Sequence, residues 1–298
     1  MTGAQPEWLL RGRGQTPQIQ WSFSTEGALV GLEWTRETGE AIAADETGSL
    51  FLVDRMGRFQ FVSHGFRDVR ALAIADTGEN FAVLIGETQV SLHDRKGESI
   101  WSIDLPDVCL TIALDPRGDY LLVCLADGRN IILDRNRNTV SRFETVRPLA
   151  MARFLVEVPE FVAAAEYGLI CRHELDGTQL WADKTWSNVG DLSVAGDGDA
   201  VWIAGFNHGL QLYDADGQNR ASLVTEGTIN RVSVSYQGDR IAASTIEQHL
   251  FWLDGDGELL WGTTMDSEIR RVIANPLGHR LLCGLETGRV VCLQWNGS

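Results

Sequence analysis

Glycines in this chain recur on a 40-residue register: Gly57, Gly97, Gly177, Gly217, Gly257 and Gly297 share it, and Arg137 occupies the one interior mark without glycine. A second set, offset by 21 residues, contains Gly78, Gly118, Gly198, Gly238 and Gly278, with Val158 in place of one glycine and Gly39 one residue late. Three residues before the first set stand Asp54, Asp94, Asp134, Glu174, Asp214, Asp254 and Gln294. Acids make up 41 of 298 residues, so six acids in seven places reflect a local structural demand rather than composition. Repeats of this length specify a solenoid or a propeller, in which each unit buries its apolar face against the next.

The unit can be read as chemistry from Arg70 to Ser102. Arg70-Ala71-Leu72-Ala73-Ile74-Ala75 reads as a buried strand closed by Asp76-Thr77-Gly78-Glu79, and Phe81-Ala82-Val83-Leu84-Ile85 as a second. In Val90-Ser91-Leu92-His93 apolar and polar residues alternate, and Asp94-Arg95-Lys96-Gly97 is a turn. Aspartate accepts a backbone N–H two residues on there, and glycine supplies positive φ. Ile100-Trp101-Ser102-Ile103 opens a fourth strand. Four short antiparallel strands in 40 residues make a propeller blade, whereas helical repeats would need two stretches of 3.6-residue periodicity per unit. The expected fold class is therefore all-β, a seven-bladed β-propeller with four antiparallel strands per blade.

The chain ends fit a closed ring. An aromatic follows four residues after the turn glycine at Phe61, Trp101, Trp181 and Trp261, and one further step back reaches Trp21. The last unit ends without an outer strand of its own, and Ile19-Gln20-Trp21-Ser22-Phe23 is expected to supply it. The propeller is thus placed at 17–298, with 1–16 as a tail. In that tail Trp8-Leu9-Leu10 ahead of Arg11-Gly12-Arg13 reads either as a docking segment or as a disordered start.

No run of 18 apolar residues exists, so no membrane span is expected. The first residues lack a basic stretch followed by an apolar one, which makes a cytoplasmic setting the expectation. The five cysteines are odd in number and scattered, and reduced thiols are expected. A hairpin turning at Thr287-Gly288 would bring Cys283 and Cys292 opposite one another, the one pair that invites a disulfide. The net charge of −16 argues against direct nucleic-acid binding and favours a basic partner.

Val232-Ser233-Val234-Ser235-Tyr236-Gln237-Gly238-Asp239-Arg240-Ile241-Ala242-Ala243-Ser244 is similar to the strand-turn-strand pattern of WD40 repeats, and Leu253-Asp254 and His93-Asp94 stand where Trp-Asp is expected. Asp254-Gly255-Asp256-Gly257-Glu258-Leu259-Leu260-Trp261, and the stretch from Asp94 to Trp101, resemble the docking repeat of quinoprotein-like propellers. The chain resembles that superfamily from about Pro17 onward, and which subfamily stays open. The resemblance implies a ring whose loop face docks peptides or proteins. Quinoprotein-like enzymes would carry a prosthetic group.

Fold alone does not assign a function, so the loops must supply it. Those between second and third strands carry Glu46, Asp127, Glu166, Glu247 and Glu286. Neighbouring loops add Phe66, Arg67, Arg70 and Trp186, with Tyr167, Phe206 and His208 nearby. Aromatics beside charge suit a protein-binding surface. The competing reading has these acids paired with Arg129, Arg270 and Arg289 or simply solvated. The opposite face is expected to be basic over the first three blades, through Arg55, Arg58, Arg95, Lys96, Arg135 and Arg137.

The histidines show no zinc-ligand spacing, although His208 and His249 fall one blade apart near one rim, and no nucleophile elbow or phosphate loop occurs. A non-catalytic scaffold without cofactor or metal, binding a basic or peptide-like partner and monomeric alone, is the first expectation. The alternatives are an enzyme or cofactor binder at the channel mouth, which predicts polar groups converging there, and a spacer that assembles through its blade edges.

Overall fold

A computed structural model describes residues 5–295; the register mark Gly297 and the expected domain end at Ser298 lie outside the described residues. Seven antiparallel sheets form the ring. Six take their four strands in sequence order, from the channel outward: blade one is 29–63, blade two 69–104, blade three 109–144, blade four 151–183, blade five 189–223 and blade six 229–264. Blade seven contributes three strands from 269–294, and Gln18–Ser24 is its fourth, pairing antiparallel with Arg289–Gln294. The innermost strands pack on one another around the ring, Ile269–Ala274 against Leu29–Trp34 included. The seven-bladed ring and its closure by the N-terminal strand are as the register implies.

The aspartate column is explained by the turn between third and fourth strands. One carboxylate oxygen of Asp54 accepts the N–H groups of Met56 at 2.8 Å and Arg58 at 3.0 Å. Asp94, Asp134, Asp214 and Asp254 repeat this pair of bonds. The Arg58 N–H holds Asp54 below the usual carboxylate value of 3.8, and the Asn138 side chain does the same for Asp134. Both contributions are present above that value and fade as the pH falls through the depressed one. At the glycine-less mark Arg137 takes the left-handed conformation itself, with φ of 69°.

Outer strands lean on the next blade through their aromatic column at three junctions. The indole Nε1–H of Trp21 donates to Arg55 O at 3.2 Å, that of Trp101 to Arg135 O at 3.0 Å, and that of Trp181 to Ala215 O at 2.7 Å. Gly57 packs so closely on Trp21 that a Cβ there would lie within the indole, which ties the turn glycine to the aromatic column.

Turns between first and second strands are joined by backbone bonds from blade to blade. Glu37 N–H donates to Asp76 O and Asp76 N–H to Pro116 O; Val156 N–H donates to Gly196 O, Gly196 N–H to Tyr236 O and Tyr236 N–H to Pro276 O. The series is interrupted after Pro116 and after Pro276, because proline has no N–H to pass on.

Part of the 1–16 tail is structured. Glu7–Leu10 is one helical turn, and Arg13–Gly14 adds a fifth strand to the outer edge of blade six. Trp8 and Leu9 are buried among Trp252, Trp261, Met265 and Trp295. Thr263 donates its hydroxyl to Trp8 O, Gln15 N–H donates to Leu260 O at 2.9 Å, and the Trp295 indole donates to Gln15 O at 2.8 Å. This segment sits where the other blades find a neighbour's turn: Gly12 lies against the Trp261 ring, leaving no room for a Cβ.

All five cysteines are free and buried. The expected juxtaposition of Cys283 and Cys292 is off by one residue, since Cys283 pairs with Val291 and Cys292 with Leu282. A one-residue slip reverses the face, and the two thiols belong to different interblade cores. Burial pushes both thiols up to about 12.

Two expectations follow for stability. Trp8→Ala should cost about 3–5 kcal/mol in urea unfolding, the range for removing a buried aromatic. Arg137→Gly should raise stability by about 0.5–1 kcal/mol, since glycine relieves a left-handed strain of about 1–2 kcal/mol and returns part of that as backbone entropy.

Candidate functional site

The loop face gathers the ends of second-to-third-strand hairpins and the connections between blades, and its backbone is tied together. The N–H groups of Glu46, Gly86, Ala126, Phe206, Ile246 and Glu286 each donate to the carbonyl eighteen residues earlier, from Ala28 O round to Glu268 O. Each hairpin is thereby held to the connection leading into its blade. Side chains on this face are presented by a preset surface, which lowers the entropic cost of binding.

Over blades four to six this face exposes large apolar groups. Val146 is 91% exposed, Val224 88%, Trp186 67% and Ile246 55%, with Tyr167 exposed beside them. A β-bridge between Tyr167 and Asn188 draws the blade-four hairpin to the connection that carries Trp186. Cations lie on the aromatic faces: Lys184 Nζ stands 4.1 Å from the centre of the Trp186 ring, and the Arg147 guanidinium 5.9 Å from that of Tyr167. Exposed apolar side chains scattered singly are ordinary, but a run of them along one face marks a surface for burial.

The other sequence candidates divide. Phe66 is not an exposed aromatic: it is 7% exposed and meets His93 edge-on at 5.0 Å, because Phe66 N–H bonds to Gly48 O and turns the side chain into the core between blades one and two. Phe206 is half-buried over Gly190, while His208 and Arg67 are exposed. Arg70 pairs with Asp68 at 3.0 Å.

Much of the acidic circle is occupied. Glu46 accepts the Ala28 N–H at 3.2 Å, and Glu247 accepts the Thr228 N–H at 2.8 Å, a bond that lowers its pKa. Asp127 pairs with Arg129, and Glu286 with Arg270 at 2.6 Å. Glu166 is exposed.

On the opposite face, Arg58 pairs with Asp54 at 2.8 Å and Arg95 with Glu40, while Arg135 reaches Asn80 Oδ1 at 3.4 Å and Arg137 reaches Ser102 O at 3.4 Å. Arg55 and Lys96 are exposed. Later blades carry Asp176, Asp216 and Asp256 at the corresponding turns. The charge is split between the two sides of the ring. Among the described residues, no three His, Cys, Asp or Glu side chains gather as a metal site.

The channel holds a group of charges absent from the sequence-based candidates. Its wall is built from alternate residues of the inner strands, and Asp191, Arg231 and Arg271 fall 40 residues apart on it. Glu33 and Arg153 stand two residues beyond the equivalent marks at Gly31 and Met151. Arg271 Nη2 donates to Glu33 Oε1 at 2.7 Å, linking blade seven to blade one, and its Nη1 is 3.6 Å from Asp191 Oδ1 on blade five. Arg153 Nη2 stands 3.9 Å from the same oxygen. Arg231 Nε donates to Arg270 O at 2.8 Å and its Nη1 to Gly190 O at 3.0 Å. Burial depresses the pKa of Arg153 and of Arg231, while in Arg271 the carboxylates of Glu33 and Asp191 overcome burial and raise it. The register carried this signal, but in the strand positions rather than in the turns.

No family model matches the chain, and no curated protein does. Among solved structures, the Cps50 (Swd1) beta-propeller domain of Myceliophteria thermophila superposes with a TM-score of 0.80 at 14% identity, over 94% of this chain and 100% of that one. At that identity the likeness establishes the architecture, and by strand order, blade number and superposition the chain has the fold of a seven-bladed β-propeller.

Proposed function

We propose that this protein is a non-catalytic interaction scaffold that docks a protein partner on the loop face of blades four to six. The observation that carries this reading is the run Val146, Tyr167, Trp186, Val224 and Ile246, exposed on a face whose backbone is hydrogen-bonded from loop to loop. A flat apolar strip with aromatic members is the kind of surface that anchors a peptide or a subunit, because rings bury much area at little entropy cost. Glu166, Glu226 and Glu247 lie on the same loops, and with the net charge of −16 they favour a partner that brings apolar side chains flanked by basic ones. His208 lies on the blade-five hairpin within this surface, and Arg67, between blades one and two, lies outside it. The basic turns of blades one to three are the lesser candidate, since Arg58 and Arg95 already have carboxylate partners.

A reducing, cytoplasmic setting belongs to the same reading, supported by five buried thiols in no disulfide. Among the described residues no helix is long and apolar enough to cross a membrane. The isolated ring is proposed to be monomeric.

The test is affinity purification from the source cells with wild type, Trp186→Ala/Val224→Ala and Arg55→Glu/Lys96→Glu proteins. A stoichiometric partner should be retained by wild type and by the basic-face variant, and reduced at least about tenfold by the loop-face variant, consistent with truncating an anchor residue. Loss with the basic-face variant alone would move the interface to the opposite side of the ring.

A further inference from the structure

Two junctions on the outer side of the ring share one plan and differ in what fills them. Between blades six and seven, Trp8 and Leu9 of the tail are buried with Met265, Val291 and Leu293. The Thr263 hydroxyl donates to Trp8 O, and Arg13–Gly14 pairs with Gly262 and Trp261. Four 40-residue steps back, Thr263, Met265, Val291 and Leu293 become Ile103, Leu105, Ile131 and Leu133. The backbone keeps the correspondence: Leu105 N–H donates to Thr88 O at 2.7 Å as Met265 N–H does to Gln248 O at 2.8 Å. Between blades two and three these four side chains line an open groove of about 730 Å³. That lies within the range of about 300–1,000 Å³ typical of clefts that hold a ligand.

The floors match, but the rims do not. The tail runs antiparallel to the outer strand of blade six, so Glu7 lies toward the loop face and Arg11 and Arg13 toward the opposite turns. In the groove Asp104 and Glu144 stand toward the loop face, and Arg137 and Arg142 toward the turns. Arg142 Nη2 donates to Thr139 Oγ1 at 3.5 Å. Arg137 Nη1 donates at 3.4 Å to Ser102 O, on the counterpart of Gly262, beside which Arg13 of the tail lies. Both guanidinium groups thus bond to uncharged oxygens, whereas Arg129, also on the rim, is taken up by Asp127.

A segment with the sequence of the tail would bring acid to acid at one end of this groove and base to base at the other. We propose that the groove between blades two and three docks an extended segment of a partner protein, in which a basic residue precedes an aromatic-aliphatic pair and acidic residues follow it. The apolar floor sets the central pair, since its counterpart holds Trp8 and Leu9. The rim sets the flanking charges and turns away the tail of a second copy.

The probe is a fluorescein-labelled peptide covering 6–14 of the tail with its charges reversed, Glu7→Lys, Arg11→Asp and Arg13→Asp. It is compared with the unaltered peptide by fluorescence anisotropy against the full-chain protein. The reversed peptide should bind saturably at one site, at least about tenfold more tightly than the unaltered one, because like charges brought together cost affinity. Arg142→Glu, at an exposed side chain, should keep the wild-type melting temperature, weaken the reversed peptide at least about tenfold and strengthen the unaltered one. Trp186→Ala/Val224→Ala should bind the reversed peptide as wild type does, so the groove and the loop face stand or fall separately. Absence of saturable binding, equal affinity for the two peptides or tighter binding of the unaltered one would overturn the assignment. Indifference to Arg142→Glu, or loss of binding in the loop-face variant, would do the same.

Discussion

The structure depends on a seam where the two ends of the chain meet. Blade seven is complete only when Gln18–Ser24 pairs with Arg289–Gln294, and Trp21 on that strand then reaches Arg55 O on blade one. Without this strand, blade seven would present an open sheet edge and blade one would lose the aromatic on which its turn glycine rests. The tail extends the seam to the preceding blade. Blade six has its outer-strand tryptophan, Trp261, and residues 7–15 cover it. The N-terminal region thus does two jobs at once: one strand closes the ring, and one turn of helix caps the exposed edge of the closure.

Around that closed ring, structure and function use different residues of the same repeat. The acids and glycines that recur most faithfully are occupied in holding turns, as the paired N–H bonds to Asp54, Asp94 and Asp134 illustrate. The residues left exposed on the loop face vary from blade to blade: the mark of Trp186 carries Val146 in the blade before and Glu226 in the blade after. Regularity here reports on folding, and departures from it are where a specific surface can be built.

Strand order, blade number and ring closure were legible in the sequence because each feature occurs several times and each copy checks the others. The same logic explains what was not legible. The tail occurs once, so Trp8 and Leu9, which are buried, had no register to place them. Phe66 lies in a connection, where no alternation says which way a side chain points, and a single backbone bond to Gly48 turned it inward. Cys283 and Cys292 missed one another because hairpin register follows the turn, and a shift of one residue changes the face. The channel charges were readable in principle: Asp191, Arg231 and Arg271 keep the 40-residue step, but they differ in sign and the earlier marks, Gly31, Ala71, Thr111 and Met151, are uncharged, so they do not look like a column.

The two prolines in the ring of turn-to-turn hydrogen bonds have a consequence for how the molecule can deform. Pro116 and Pro276 interrupt that ring at the junctions between blades three and four and between blades seven and one, which are nearly diametrically opposed. The series of bonds is thereby divided into an arc of three blades and an arc of four. Arg271 and Glu33 bridge one junction with an ion pair, while the other has no such pair among the described residues. The basic turns belong to the smaller arc, and the acidic turns and the apolar strip to the larger. At the junction after Pro116 the blades are held by apolar packing, Leu122 and Ile132 against Phe154 and Phe161, rather than by a turn-to-turn hydrogen bond.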